Sequence, residues 1–383
     1  MSSVKRPLYE VIFTSYRDKI KSGALEPGSK LPTEMEIAAE YSVSRITAIR
    51  SLKELELHGY IHRIKGSGSY VNKTQIYGRN SNNNSRGHLS LISLVVPFEA
   101  DISFDIFKGI EDIAKEQDYF VTFHNSGEDS QEEKRIVEDI ISRGSHGVII
   151  YPTAVNNNMD LYSSLLIDKY PFVLIDHKVP GIETSLICAD NQKGFNDITA
   201  HLFGLGHRRI IMVGTDIYRL SSELERYKGF CQAHLEFGVP LPAKHLYDFN
   251  DIKDIPPDYR AEEERERRGI LHLLDSLEAI PGENRPTAIA AVNDTIAQMI
   301  ITIAREQGIS IPEDYSVTGF DNLPWAEHLP VPLTTAAQPV REIGRKAAEE
   351  LFRNIREPDR TGTVHTVQSQ LICRSSSAAP RSN

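Results

Sequence analysis

From His88 onward, short apolar runs alternate with stretches of helical periodicity, and this alternation restricts the possible folds more than any other feature of the chain. Leu89–Val96 ends at Pro97 and is followed by Phe107, Ile110, Ile113 and Ala114, which share a helix face. Tyr119–Phe123, Gly147–Tyr151 and Phe172–Ile175 read as further strands, with Ile136, Ile140 and Ile141 marking a helix among them. Strand–helix pairs then follow at Leu186–Ala189 and Asn191–Leu205, at Arg209–Val213 and Ser221–Glu236, and at Ala288–Val292 and Asp294–Gln307. Tyr315–Gly319 and a last helix, Val340–Arg353, close the series. Short buried strands separated by helices predict parallel, doubly wound α/β sheets. Residues 88–374 are too many for one such sheet, so two lobes are expected.

The first 72 residues read differently. Leu8, Val11, Ile12, Tyr16 and Ile20 recur at helical spacing up to Gly23. Thr33 and Glu36 form a capping box for a helix that Tyr41 and Ser42 end. Ser44 caps the next helix, whose stripe Ile46, Ile49, Leu52 and Leu55 faces inward. Arg45, Thr47, Arg50 and Lys53 lie off that stripe and present donors to whatever faces them. A hairpin, Ile61–Ile64 with Ser69–Asn72, turns at Lys65-Gly66-Ser67-Gly68. Helix, tight turn, basic helix and wing form the arrangement by which helix-turn-helix proteins reach the major groove. The competing reading is a small helical subdomain with ordinary surface arginines.

The string LPTEMEIA…YSVSRITAIRSL…LHGYIHRIKGSGSYV resembles the winged helix-turn-helix of the GntR family of bacterial repressors. That resemblance implies operator contacts by Glu34, Ser44, Arg45, Thr47 and Arg50, and by Lys65, Gly66 and Gly68 of the wing. Met35 stands where the family often has arginine, and Ile49 precedes Arg50 where a second arginine is common. Base preference is therefore expected to differ from that of better-matched members.

Charge agrees with a nucleic-acid-binding head. Residues 1–80 hold 7 Lys and 6 Arg against 8 Asp and Glu, a balance of +5, which leaves −15 for the remainder of a chain of net charge −10. A basic head on an acidic body concentrates phosphate attraction in one place. Residues 73–87, KTQIYGRNSNNNSRG, have too few apolar side chains to bury and read as a flexible linker. The alternative is a segment that orders on DNA, which their Gly and Asn content opposes. The mixed charges of Ala261–Arg268 read as a solvated helix face, and residues 375–383 as a frayed tail.

Several polar residues fall at strand ends, where open α/β sheets bind ligands. Asp176 and His177 end FVLID; Asn293 and Asp294 end TAIAAV; Asp321 and Asn322 end YSVTGF. Carboxylates and amides there suit vicinal hydroxyls, Arg226 could add a clamp, and Phe104 and Phe249 could stack on a sugar's apolar face. Each alone has a plainer reading; Asp294 before TIAQ, for one, suits a helix cap.

The segments FKGIEDIA, HGVII, VLIDH, LICADNQKGF, RYKGF, PTAIAAVNDTIA and YSVTGFDN look like the sensor domain of LacI/GalR repressors, itself similar to periplasmic sugar-binding proteins. This second resemblance implies effector contacts by Arg226, Asn293, Asp321, Asp176 and His177. A GntR-like head on a LacI-like sensor is the architecture of the AraR-type arabinose repressors. It implies a homodimer on double-stranded operator DNA, controlled by a small sugar-like effector. The rival is a non-enzymatic sugar-binding module whose head binds protein.

Catalysis finds little support. The chain contains no Gly-x-Ser-x-Gly elbow, P-loop or His-Glu-x-x-His, and His207 has no evident nucleophile beside it. Cys188, Cys231 and Cys373 lack zinc spacing, so no metal or cofactor is expected. Three widely spaced thiols and an N-terminus without a signal-peptide core point to a cytoplasmic protein. No run of about 18 apolar residues suggests a membrane span.

Overall fold

A computed structural model describes residues 7–57, 59–64, 67–72, 89–98, 101–153, 158–249 and 262–381. The head begins with α1 (Leu8–Lys21), α2 (Glu34–Tyr41) and α3 (Arg45–Leu57). The capping box at Thr33 forms in both directions, and Ser42 ends α2 in the left-handed conformation. Ser44 Oγ accepts the Thr47 amide at 3.1 Å and caps α3. The wing strands β1 (Ile61–Ile64) and β2 (Gly68–Val71) pair antiparallel, Ile61 opposite Val71. Ile12, Tyr16, Ile37, Leu52 and Leu55 form the core of the head. The wing residues Lys65 and Gly66 and the linker 73–87 lie outside the described residues.

The remaining residues build two lobes. The first holds β3 (Leu91–Val96), α4 (Asp101–Glu116), β4 (Phe120–Asn125), α5 (Ser130–Ser142), β5 (Val148–Ile150), α6 (Met159–Ile167), β6 (Phe172–Ile175) and β7 (Leu186–Ala189). The second holds α7 (Asn191–Gly204), β8 (Ile210–Gly214), α8 (Ser221–Glu236), β9 (Leu246–Asp248), α9 (Glu262–Glu278), β10 (Ala288–Ala291), α10 (Asp294–Glu306), β11 (Ser316–Asp321) and β12 (Thr334–Ala337). The chain then returns to the first lobe for α11 (Val340–Arg356) and β13 (Val364–Val367), and ends in the second with β14 (Gln370–Ile372). The two six-stranded sheets run β13-β7-β6-β5-β3-β4 and β14-β12-β11-β10-β8-β9. All pairings within them are parallel except β12 with β14. The expected two doubly wound lobes are therefore present, joined by three crossings near Asp190, Gln338 and Ser369.

Ser375–Arg381 does not fray. Ser376 is fully buried; its hydroxyl donates to Val317 O at 2.6 Å, and its carbonyl accepts the Val317 amide at 2.7 Å. Residues of low hydrophobicity are held here because they complete β11's hydrogen bonding. The same segment explains His207, which lies buried with Nδ1 2.8 Å from Thr287 Oγ1 and Nε2 2.9 Å from Ala378 O. The Asp294 expectation is also revised. Asn293 caps α10 by accepting the Ile296 amide at 2.8 Å, while Asp294 accepts from the Leu323 amide and the Thr335 hydroxyl.

Helices α4 and α11 approach so closely that a Cβ on Gly344 would lie 2.2 Å from the Ile106 carbonyl oxygen, and one on Gly109 2.0 Å from that of Arg341. Backbone cannot yield as a side-chain tip does. Gly344→Leu is therefore expected to destabilise the protein by about 2–3 kcal/mol, read as a lowered urea midpoint. A midpoint equal to wild type would show that the helix contact is not tight.

Candidate effector cleft and DNA-reading helix

The parallel strands of both lobes end at a common cleft of about 410 Å³. From the first lobe it receives Pro97 and Phe98 after β3, Tyr151 and Pro152 after β5, and Asp176 and His177 after β6. The second lobe supplies Thr215, Ser222, Glu223, Arg226, Asn293 and Asp321, and the crossing adds Gln338. Five of the seven expected effector residues thus meet: Asp176, His177, Arg226, Asn293 and Asp321. Phe104 does not join them; it is exposed on α4, stacked near Phe107 with Lys108 over its ring. Phe249 is buried in the core of the second lobe. The aromatic faces at the cleft are those of Phe98 and Tyr151, packed edge to face at 5.2 Å. The strand-end rule could have found both, since each follows the last residues of a strand.

Arg226 is buried and largely committed. Its Nε donates to Asn191 Oδ1 at 2.9 Å, Nη1 to Val292 O at 2.8 Å, and its guanidinium lies 4.0 Å from the Phe320 ring centroid. Nη2 faces Asp321 Oδ1 at 3.8 Å, too long for a direct bond. Asp321 itself accepts from Gln338 Nε2 at 2.6 Å. Its backbone, at φ 125°, is in a region that non-glycine residues seldom occupy, and Asp176 is left-handed at φ 69°. Both strand ends thus hold an acid in costly geometry, a pattern that accumulates at binding sites.

The carboxyls are pushed in different directions. Burial raises Asp321, reinforced by the charge of Asp176 and opposed by Arg226 and Gln338. Burial likewise raises Asp294, together with the charge of Asp321. Burial works to raise Asp176 too, but His177, Arg226 and Tyr151 outweigh it and hold the group below its usual range. His177 Nδ1 lies 3.2 Å from Asp176 Oδ2, and its buried Nε2 has no hydrogen-bond partner among the described residues. The cleft thus offers fixed acceptors, one guanidinium edge, an unpartnered imidazole nitrogen and two aromatic faces. Among the described residues no group of His, Cys, Asp or Glu could hold a metal, and no helix is long and apolar enough to cross a membrane.

In the head, Arg45 is more than half exposed, and Glu34 accepts from both Arg45 (3.2 Å) and Arg63 of β1, tying α3 to the wing. Ser44, Thr47 and Arg50 face the first lobe instead. Ser44 Oγ donates to Asp168 Oδ2 at 2.7 Å, the Thr47 hydroxyl also meets that carboxylate, and Arg50 reaches the Asp168 carbonyl at 2.6 Å. Gly68 opens β2 with φ 127°, against the Lys30 side chain.

A winged helix-turn-helix joined to a two-lobed domain with a polar interlobe cleft defines a ligand-responsive DNA-binding regulator. Residues 8–71 match the gntR family of bacterial regulatory proteins, and residues 199–377 match the periplasmic binding protein-like domain. The chain is 32% identical to the arabinose metabolism transcriptional repressor of Geobacillus stearothermophilus over 93% of this chain and 94% of that protein. It is 28% identical to the protein of the same name from Halalkalibacterium halodurans, covering 98% and 97%. Among solved structures, a LacI family transcriptional regulator from Enterococcus faecium with bound ribose is similar at 27% identity and a TM-score of 0.59, over 76% of this chain and 99% of that one. The chain belongs to the family of bacterial transcriptional repressors that join a gntR-type head to a periplasmic-binding-protein-like domain.

Proposed function

We propose that this repressor binds a neutral monosaccharide of pentose size in the interlobe cleft and that the ligand lowers its affinity for operator DNA. The observation that carries the ligand class is the charge balance of the cleft: Asp176 and Asp321 face a single arginine whose Nε and Nη1 are already used. Sugar phosphates and uronates would place negative charge against two carboxylates, whereas hydroxyls can donate to both and meet His177 Nε2. Phe98 and Tyr151 suit the apolar face of a pyranose. The relatives named for arabinose metabolism and the ribose-bound neighbour support the same class.

Closing the lobes on the ligand changes the surface by which two copies pair. The side chains Phe104, Phe120 and Phe123, all exposed on α4 and the edge strand β4, suit a homodimer through the first lobe. Two heads then bind a near-palindromic site, and the ligand acts through a coupling energy of about 1–3 kcal/mol. Arg45, with Thr47, Arg50 and the wing, reads the DNA.

A thermal-shift series tests the ligand. Arabinose, ribose and xylose are expected to stabilise the protein, and galacturonate and sugar phosphates are not; stabilisation by the anions alone would overturn the neutral-sugar reading. A gel shift with the chain's own upstream DNA tests the rest. No shift at low salt, with or without sugar, would remove the regulator reading.

The raised carboxyl of Asp321 sets a pH dependence. It takes up a proton at higher pH than an ordinary aspartate, so a hydroxyl donor loses its charged acceptor as pH falls. Sugar affinity by calorimetry is expected to weaken at least about threefold from pH 7.5 to 5.5. Tighter binding at the acid end would contradict a charged acceptor at this position.

A further inference from the structure

The buried stripe of α3 divides between two cores. Leu52 and Leu55 belong to the head, but Ile46 and Ile49 pack with Ile136, Ile140 and Ile141 of α5 in the first lobe. Off that stripe, the donors of α3 all find negative partners. Ser44 and Thr47 both donate to the Asp168 carboxylate. Arg50 Nη1 donates to the carbonyls of Asp168 (2.6 Å) and Lys169 (2.9 Å), and Lys53 Nζ to those of Gly144 and Ser145. These carbonyls follow the last turns of α6 and α5. Carbonyls just past a helix C-terminus sit at the partly negative end of its dipole, and Ser145 O accepts from the Tyr170 hydroxyl as well, at 2.8 Å. Two cations and two hydroxyls therefore meet a carboxylate and two helix ends much as they would meet phosphates.

We propose that the C-terminal ends of α5 and α6 form a docking surface for α3 that competes with DNA and holds the head in a DNA-incompetent position. This rests on reading α3 as the DNA-reading helix. Thr47 is 1% exposed in the docked arrangement, and Arg50 Nη1 already holds two carbonyls, so the Thr47 hydroxyl and this guanidinium donor become available to DNA only on undocking. Docking also has an opposing term. Burial raises the Asp168 carboxyl, and the Thr47 and Ser44 hydroxyls and Arg50 offset this. A contact with such compensating terms can be released by a modest bias.

The opposite ends of the same two helices lie by the cleft. Glu133 in the first turn of α5 accepts from Asn158 at the start of α6 (2.8 Å), from Tyr162 (2.8 Å) and from the Thr153 amide (2.9 Å), just beyond the cleft residues Tyr151 and Pro152. The docking surface and the ligand cleft thus share α5 and α6 as a common support.

Two full-length variants test the competition. Asp168→Lys removes the carboxylate that Ser44 and Thr47 meet and sets a cation against Arg50, while changing no residue of the head. Because apparent affinity scales with the undocked fraction, this variant is expected to bind upstream DNA about five- to tenfold tighter than wild type by fluorescence anisotropy. Equal or weaker binding by a variant that melts like wild type would overturn the proposal. The second variant, Ser44→Cys with Asp168→Cys, places two thiols at the observed contact. Mild oxidation is expected to link them, read by peptide mass, and to lower DNA affinity at least tenfold, with recovery on reduction. Absence of the link, or a linked form that binds DNA as well as the reduced one, would refute docking. If the link forms but no form of the protein, reduced or wild type, binds DNA, the assignment of α3 to DNA fails and the docking contact itself stands.

Discussion

Asp321→Asn is expected to weaken sugar binding about 30- to 100-fold, equivalent to about 2–3 kcal/mol, while leaving ligand-free operator binding within about twofold of wild type. The substitution is nearly isosteric, and asparagine branches at Cγ as aspartate does, so it meets the backbone at φ 125° with the same shape. Its side-chain oxygen can still accept from Gln338 Nε2, so the crossing stays in place. What is lost is the charged acceptor that faces Arg226 across 3.8 Å, the gap a ligand hydroxyl would bridge. Calorimetry with the sugar found in the thermal-shift series, and a DNA shift with and without it, give the two readouts. A full ligand response in the variant would remove Asp321 from the site.

Arg45→Ala should act on the other function. Arg45 is the basic residue of α3 whose side chain stays exposed in the docked head, held toward the wing by Glu34. A bidentate base contact accounts for about 1–3 kcal/mol of discrimination, so operator affinity is expected to fall roughly 10- to 100-fold and sequence preference to relax at one position. A phosphate contact would instead weaken all sequences alike and reduce the salt slope by about one. Ligand-induced thermal stabilisation should persist in either case. Operator affinity within threefold of wild type would exclude Arg45 as a reading residue, and loss of ligand stabilisation would show that head and cleft are not separate sites.

Much of the architecture is legible from local chemistry. The Thr33–Glu36 capping box, the Ser44 cap and the span Ser221–Glu236 follow from side chains within a few residues of one another, and the structure contains all three. The strand-end acids were readable because topology, not tertiary detail, puts the carboxyl ends of parallel strands at the ligand edge. The elements not anticipated are α6, β9, β12, β13 and β14. Thr334–Ala337 shows why: two threonines and two alanines carry little strand signal, and they pair because β11 and β14 lie on either side. Phe249 failed as a site residue for a related reason, since an aromatic near a strand end can point to the core as readily as to the cleft.

Near neighbours along the chain set hydrophobic period and capping, which is why module order, the two lobes and the residue types at the strand ends are legible in the sequence alone. Long-range packing settled which aromatics line the cleft, that Asn293 and not Asp294 caps α10, and that Ser376 completes a sheet. It also decided what Ser44, Thr47 and Arg50 touch. Donors on a helix are compatible with phosphate, water or another helix's C-terminus alike, and only the placement of Asp168 more than a hundred residues away in sequence distinguishes them.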